Sequence, residues 1–224
     1  MHPQFQEFDI GHLYNDGVVQ VFFGNCLGSV EKITSHFPAL DFKTIKQTHS
    51  DIIVEANSIS EAADAHWTIT SKTGLLVSTA DCIPVMIYNK QTKQIAAVHA
   101  GWKGVANQIV FKTLMQLSTK ESTSKDFLIW TGPHIQQFSF EVKKDVLDII
   151  LASSFDDNKN QHWNSKDGKI FVNLLSILHT QMKAAVGSGF KLFELNSDTL
   201  LNPNYFSFRR DKTVGRNKSF INLV

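Results

Sequence analysis

Two apolar runs of strand length, Ile83-Pro84-Val85-Met86-Ile87-Tyr88 and Gln94-Ile95-Ala96-Ala97-Val98, flank the polar stretch Asn89-Lys90-Gln91-Thr92-Lys93. That arrangement predicts an antiparallel hairpin. With a four-residue loop at 89–92, Tyr88 faces Gln94 or Lys93, and paired residue numbers sum to about 181 or 182. Cys82 then lies opposite His99, with Cβ atoms roughly 4.5–5.5 Å apart. A thiolate and an imidazole at that spacing, just past two strand ends, suit a soft metal or a nucleophile–base pair.

Val18–Phe23, Thr44–Val54, Leu75–Ser78, Phe127–Trp130, Lys191–Leu195 and Ser219–Val224 are further strand candidates. Helical spacing of apolar residues predicts helices over Val105–Leu117, Val142–Leu151 and Leu174–Val186, with Gly187 ending the last. The long polar interval Asp156–Lys169 reads as a surface loop. Strands outnumber helices and include hairpins. The expected class is therefore α+β, a mixed α/β chain with antiparallel sheet, in one domain spanning 1–224.

Charge and composition narrow the function classes. The 22 Lys and Arg against 21 Asp and Glu leave a net charge of +1, which argues against nucleic acid as a main partner. No apolar stretch approaches the ~18 residues of a membrane span, so no membrane partner is expected. Met1 to Glu7 lacks the charged-then-apolar signature of a signal peptide, and two cysteines, Cys26 and Cys82, are too few for a disulfide scaffold. The expectation is a cytoplasmic protein with reduced thiols, a monomer or small homo-oligomer.

Other segments carry candidate chemistry. In His99-Ala100-Gly101-Trp102-Lys103-Gly104 the glycines allow close backbone approach, and the helix start behind them favours an anion. Arg209, Arg210 and Arg216 fall within eight residues and could clamp a phosphate through forked hydrogen bonds; the alternative is a solvated turn with one arginine paired to Asp211. Asp81, beside Cys82, is a candidate for handling a proton or supporting its neighbour, or else caps the turn. His134 reads as structural. His49 precedes the apolar Ile52-Ile53-Val54, and spacing alone does not bring it to Cys82 and His99.

Taken together, several segments resemble the laccase-domain (YfiH-type) family, first regarded as polyphenol oxidases and now as purine nucleoside phosphorylases. They are Gln47-Thr48-His49, Thr79-Ala80-Asp81-Cys82-Ile83-Pro84-Val85 and His99-Ala100-Gly101-Trp102-Lys103-Gly104, followed by Gly132-Pro133-His134-Ile135 with Phe140-Glu141-Val142. Phe206-Ser207-Phe208-Arg209-Arg210 with Gly215-Arg216 completes the series, in the family's order and over most of the chain. The resemblance implies a YfiH-like sandwich of layered mixed β-sheets flanked by helices, similar to cysteine-hydrolase folds. It also implies a zinc ion held by His49, Cys82 and His99 with an open fourth position, the pattern of a catalytic site, with copper as the other candidate ion. The implied reaction takes a purine nucleoside (adenosine, inosine, guanosine or methylthioadenosine) and inorganic phosphate to free base and ribose 1-phosphate, and members are credited with adenosine deamination as well. Catalytic roles then fall to Asp81, Cys82 and His99, and phosphate binding to Lys103, Arg209, Arg210 and Arg216. The chain departs from the family pattern at Lys103 (usually arginine), Phe208 (usually tyrosine), Asp198 (commonly cysteine) and Ala63 (usually glycine, before the retained Asp64).

Other readings compete. Cys82 as nucleophile with His99 as base would make a hydrolase or deamidase that survives chelation. A multicopper phenol oxidase needs many more imidazoles, and the nine histidines include no His-x-His pair. A zinc staple in an interaction module would want four ligands rather than three.

Overall fold

The computed structural model describes residues 5–57 and 62–224; Met1 to Gln4, part of the N-terminal stretch weighed above, lie outside the described residues. Strands β1 (Gln6–Phe8), β2 (Gly11–Asn15) and β3 (Val19–Gly24) form a meander, followed by helix α1 (Val30–His36) and β4 (Asp41–Thr44). Next come β5 (Ile53–Glu55), β6 (Ala65–Thr68), β7 (Thr73–Thr79), β8 (Ile83–Asn89) and β9 (Gln94–Ala100), then helices α2 (Trp102–Ala106) and α3 (Ile109–Leu117). Strands β10 (Phe127–Thr131) and β11 (Glu141–Val142) lead to helix α4 (Lys144–Ala152) and the hairpin β12 (Trp163–Lys166)–β13 (Lys169–Val172). Helix α5 (Leu174–Val186), β14 (Lys191–Glu194), the short α6 (Phe208–Asp211) and β15 (Asn217–Leu223) follow.

One sheet runs β1-β2-β3-β15-β7-β4 and the other β14-β10-β8-β9-β6-β5, with parallel pairing at β7–β4, β14–β10 and β6–β5. A small third sheet has the order β11-β13-β12. Strand β8 is buried along its whole length because both of its faces are covered. Val85, Ile87, Ala96 and Val98 pack with Val110, Leu114, Ile177 and Leu178 of α3 and α5. Met86, Tyr88, Ile95 and Ala97 instead meet Val21, Val77 and Ile221 of the first sheet. Ile33 of α1 covers that sheet's outer face with Phe22, Leu76 and Phe220. The result is the expected layered mixed sandwich flanked by helices.

Four sequence expectations are corrected. The hairpin loop is 90–93, not 89–92: Asn89 pairs with Gln94 and Pro84 with His99, so paired numbers sum to 183. Asn89 stays in the strand because its buried amide donates to Leu117 O at 2.8 Å, while its Oδ1 accepts the N–H groups of Gln91 and Thr92 and so forms the turn. Thr44–Val54 is not a strand; β4 ends at Thr44 and β5 begins at Ile53, with a loop between. The helix placed over Val105–Leu117 starts earlier, at Trp102, and breaks at Gln108, whose φ is 62°. The polar interval Asp156–Lys169 holds β12, which turns into β13 through Asp167 and Gly168 at φ 53° and 74°. That is the Asp-Gly signal of a two-residue hairpin turn.

Candidate active site

Residues 80–82 carry the chain from β7 in the first sheet to β8 in the second, with Asp81 at φ 83°. Side chains alternate along a strand, so Cys82 shares a face with Pro84, the residue paired with His99. Cys82 is therefore diagonal to His99 rather than directly opposite, as the predicted register had it. A diagonal neighbour is still within reach of a side chain as long as imidazole.

His49 is brought in by Asp64, a residue noted in the sequence as a retained carboxylate but given no role there. Asp64 is fully buried, and its Oδ2 accepts the N–H groups of Thr48 at 3.1 Å and Ser50 at 2.6 Å and the Ser50 hydroxyl at 2.7 Å. Its Oδ1 accepts the His49 N–H at 3.1 Å and faces His99 Nδ1 at 2.7 Å. One carboxylate thus fixes the loop that holds His49 at φ 60° and also orients His99, whose Nδ1–H points at Asp64 and leaves Nε2 for the cleft. The available signal was Asp64 itself, a lone carboxylate among Ala62, Ala63 and Ala65 just ahead of an apolar strand. A charge buried there demands partners.

The ligand atoms of His49, Cys82 and His99 all lie within 4.8 Å of one another, with Cys82 Sγ 3.8 Å from His49 Nε2. A tetrahedral zinc at ordinary bond lengths spaces its donors roughly 3.3–3.6 Å apart, so the cluster is a slightly open version of that geometry. Exposure grades from His99, buried, through Cys82 to His49, exposed. Burial pushes the Cys82 thiol up, but hydrogen bonds and charge from the two imidazoles outweigh it and bring the thiol to about 7. Burial pushes His99 down, yet Asp64 and Cys82 raise it to about 9. Burial also opposes ionisation of Asp64, but the hydrogen bonds from His99, Ser50 and Thr48 hold it well below the usual carboxylate range. Gly101 completes the cradle: a Cβ there would stand 2.9 Å from His49 Cδ2 and 3.0 Å from Cys82 Sγ. The cluster can coordinate a metal ion, and its donors fit one.

The cluster opens into a cavity of about 990 Å³. Lys103, Arg209, Lys212 and Arg216 line it together with Trp102, Ile135, Phe140 and Phe208. Arg209 Nη1 donates to Glu141 O at 2.9 Å and the guanidinium sits 5.5 Å from the Phe140 ring. Arg210 is the exception among the expected phosphate ligands. Its guanidinium is engaged by the carbonyls of Thr199, Leu200, Asn202 and Tyr205 and by Asp211, so it holds the loop together instead of facing the cavity. This is the paired-arginine alternative, realised at one position. Asp81 lines the cavity, but its Oδ1 accepts the Thr199 hydroxyl and its Oδ2 the Arg209 N–H, both at 2.7 Å.

The mixed-sheet sandwich thus carries a His-Cys-His cluster that could hold a metal ion on the wall of a cation-lined cleft, the outline of a metal-site enzyme. The chain belongs to the YfiH-type laccase-domain family: residues 3–224 match the family described as multi-copper polyphenol oxidoreductase laccase. It is 34% identical over 197 residues to a purine nucleoside phosphorylase of Clostridium acetobutylicum, covering 86% of this chain and 81% of that one. It is 32% identical over 184 residues to the purine nucleoside phosphorylase YfiH of Escherichia coli, covering 80% and 73%. The fold matches the crystal structure of the hypothetical protein YfiH from Bacillus licheniformis with a TM-score of 0.87 at 21% identity, over 98% of this chain and 99% of that one. Among the described residues no helix is long and apolar enough to cross a membrane.

Proposed function

We propose that the chain is a zinc-dependent purine nucleoside phosphorylase, with adenosine deamination as an accompanying activity. The observation that carries this reading is the meeting of two kinds of side chain on one cavity. The His49–Cys82–His99 cluster and the cations Lys103, Arg209 and Arg216 share it with aromatic wall residues. The phosphorylases named among the relatives supply the substrate class.

In phosphorolysis a phosphate oxygen attacks the anomeric carbon of the ribose, and the C–N bond breaks with its electron pair passing to the base. Lys103, Arg209 and Arg216 would hold the phosphate and offset its charge as it approaches. Trp102, Phe140 and Phe208 give the nucleoside apolar surface and keep water from competing. His99, with its Nδ1–H fixed on Asp64, presents Nε2 in one orientation, and Cys82 near 7 is readily a thiolate donor. Zinc held by these donors would supply a Lewis acid at the foot of the cleft, for the phosphorolysis and for deamination alike. Copper suits the same donor set, but a coupled copper centre needs more imidazoles. Among the described residues this is the one group of three such ligands.

Metal analysis on protein purified without metal-affinity steps, with a nucleoside assay run with and without phosphate, tests the reading. We expect bound zinc, phosphate-dependent release of free base, loss of activity on chelation, and loss of both metal and turnover in His49→Ala. Base release that ignores phosphate, or activity that survives chelation, would instead favour hydrolysis by the Cys82–His99 pair.

A further inference from the structure

We propose that Asp81 is a positioning residue: it straps the Arg209 segment to the turn carrying Cys82, and so sets how tightly the cleft holds phosphate. The identity of the anion rests on the phosphorylase reading; the strap does not. Asp81 joins three stretches far apart in sequence. Its backbone carbonyl accepts the Ile135 N–H at 3.0 Å, its Oδ1 accepts the hydroxyl of fully buried Thr199, and its Oδ2 accepts the Arg209 N–H.

The Arg209 bond matters because of where it falls. Helix α6 has four residues, too few to be stable alone. Its first-turn N–H groups are held from outside, Arg209 N by Asp81 and Arg210 N by Ser207 Oγ at 3.1 Å. With a carboxylate already at this helix start, an anion in the cleft is left to the side chains, and Arg209 is aimed by Glu141 O and the Phe140 ring only while its backbone stays put. Asp81 also sits at φ 83°, a conformation that a non-glycine residue keeps only when its surroundings impose it.

The chemistry of the two oxygens separates positioning from proton handling. In Asp81→Asn, Oδ1 can still accept from Arg209 N–H while Nδ2 donates to Thr199 Oγ1, so the strap survives without a titratable carboxylate. In Asp81→Ala both tethers go. The test compares the two variants and Thr199→Val, which keeps the Arg209 tether, for tryptic cleavage between Arg209 and Arg216, phosphate KM, kcat and metal content. We expect Asp81→Ala to be cut faster in that segment and to raise phosphate KM about tenfold with kcat much less affected, the scale of one lost charge-assisted hydrogen bond. Metal content should hold in every variant, Thr199→Val should fall between wild type and Asp81→Ala, and Asp81→Asn should restore both trypsin resistance and KM. If Asp81→Ala and Asp81→Asn both lose kcat, or if cleavage is unchanged in Asp81→Ala, or if metal is lost, the proposal is overturned. The trypsin comparison needs no turnover, so it decides the strap even if the wild-type protein cleaves no nucleoside.

Discussion

His66 and His99 sit on neighbouring strands of one sheet. His66 pairs with Ala97, two residues before His99, so the two imidazoles lie on the same face. Both are buried, and they behave oppositely. Burial drives His66 down to about 4, opposed only weakly by the Leu76 backbone, and neither ring nitrogen makes a full hydrogen bond. His99 suffers the same penalty, but Asp64 and Cys82 reverse it and lift the ring to about 9. Burial alone makes a neutral core histidine. A buried carboxylate at 2.7 Å makes an oriented ligand on the same sheet face.

Removing that carboxylate is the strongest way to break the comparison. Asp64→Asn puts an amide before the N–H groups of Thr48, His49 and Ser50 and takes the charge from His99. Breaking a buried ion pair on one side costs about 3–5 kcal/mol. We expect unfolding free energy to fall by that much, metal to be lost, and the His99 value to drop below about 9, toward that of His66, with Cys82 alone left to raise it. Equal metal content in wild type and Asp64→Asn would show that the loop and His99 hold their places without the carboxylate.

A smaller effect sharpens the contrast through pH. The folded-state value of His66 lies below its unfolded value of 6.5, so the unfolded chain binds more protons as pH drops. The stability tied to a neutral His66 is complete above 6.5 and is lost as pH falls toward 4, about 3 kcal/mol in all. His99 has the opposite sign in metal-free protein: its contribution is complete below 6.5 and disappears as pH rises through about 9. Urea unfolding at pH 7 and pH 5 should show His66→Leu losing about 2 kcal/mol less than wild type over that interval. Identical pH slopes in the two proteins would mean that His66 already finds a proton acceptor in the folded state.

The same two regions show what the sequence could and could not reveal. Apolar runs announced β3, β7, β8, β9, β10 and β15, because strands covered on both faces must be apolar. The meeting of Cys82 and His99 was foreseen despite a register error of one to two residues, since imidazole reaches a diagonal neighbour as well as an opposite one. His49 was not reachable this way. Its placement depends on a loop whose φ of 60° is imposed by Asp64 from fifteen residues away, and hydrophobic periodicity carries no trace of such a contact. Arg210 misled for a similar reason: the carbonyls that absorb its guanidinium belong to an irregular segment, Thr199 to Tyr205, with no pattern of its own.

Two glycines give the finest distinction between cleft and core. Gly132 faces the inter-sheet layer, where a Cβ would come within 2.3 Å of Phe23 and 2.8 Å of Pro84, so Gly132→Ala disturbs packing wherever metal stands. Gly101 has φ −73° and ψ 167°, angles any residue adopts, so Gly101→Ala brings no backbone strain. The three atoms nearest its new methyl all belong to His49 and Cys82. We expect Gly101→Ala to keep the metal-free unfolding midpoint while weakening metal affinity about 10–100-fold, the range seen when groups around a ligand set are disturbed. A competition titration with a chelator measures the affinity, and calorimetry on stripped protein measures the fold. Loss of metal-free stability without loss of affinity would assign Gly101 to the core rather than the cleft, and the separation of the two regions would fail at this position.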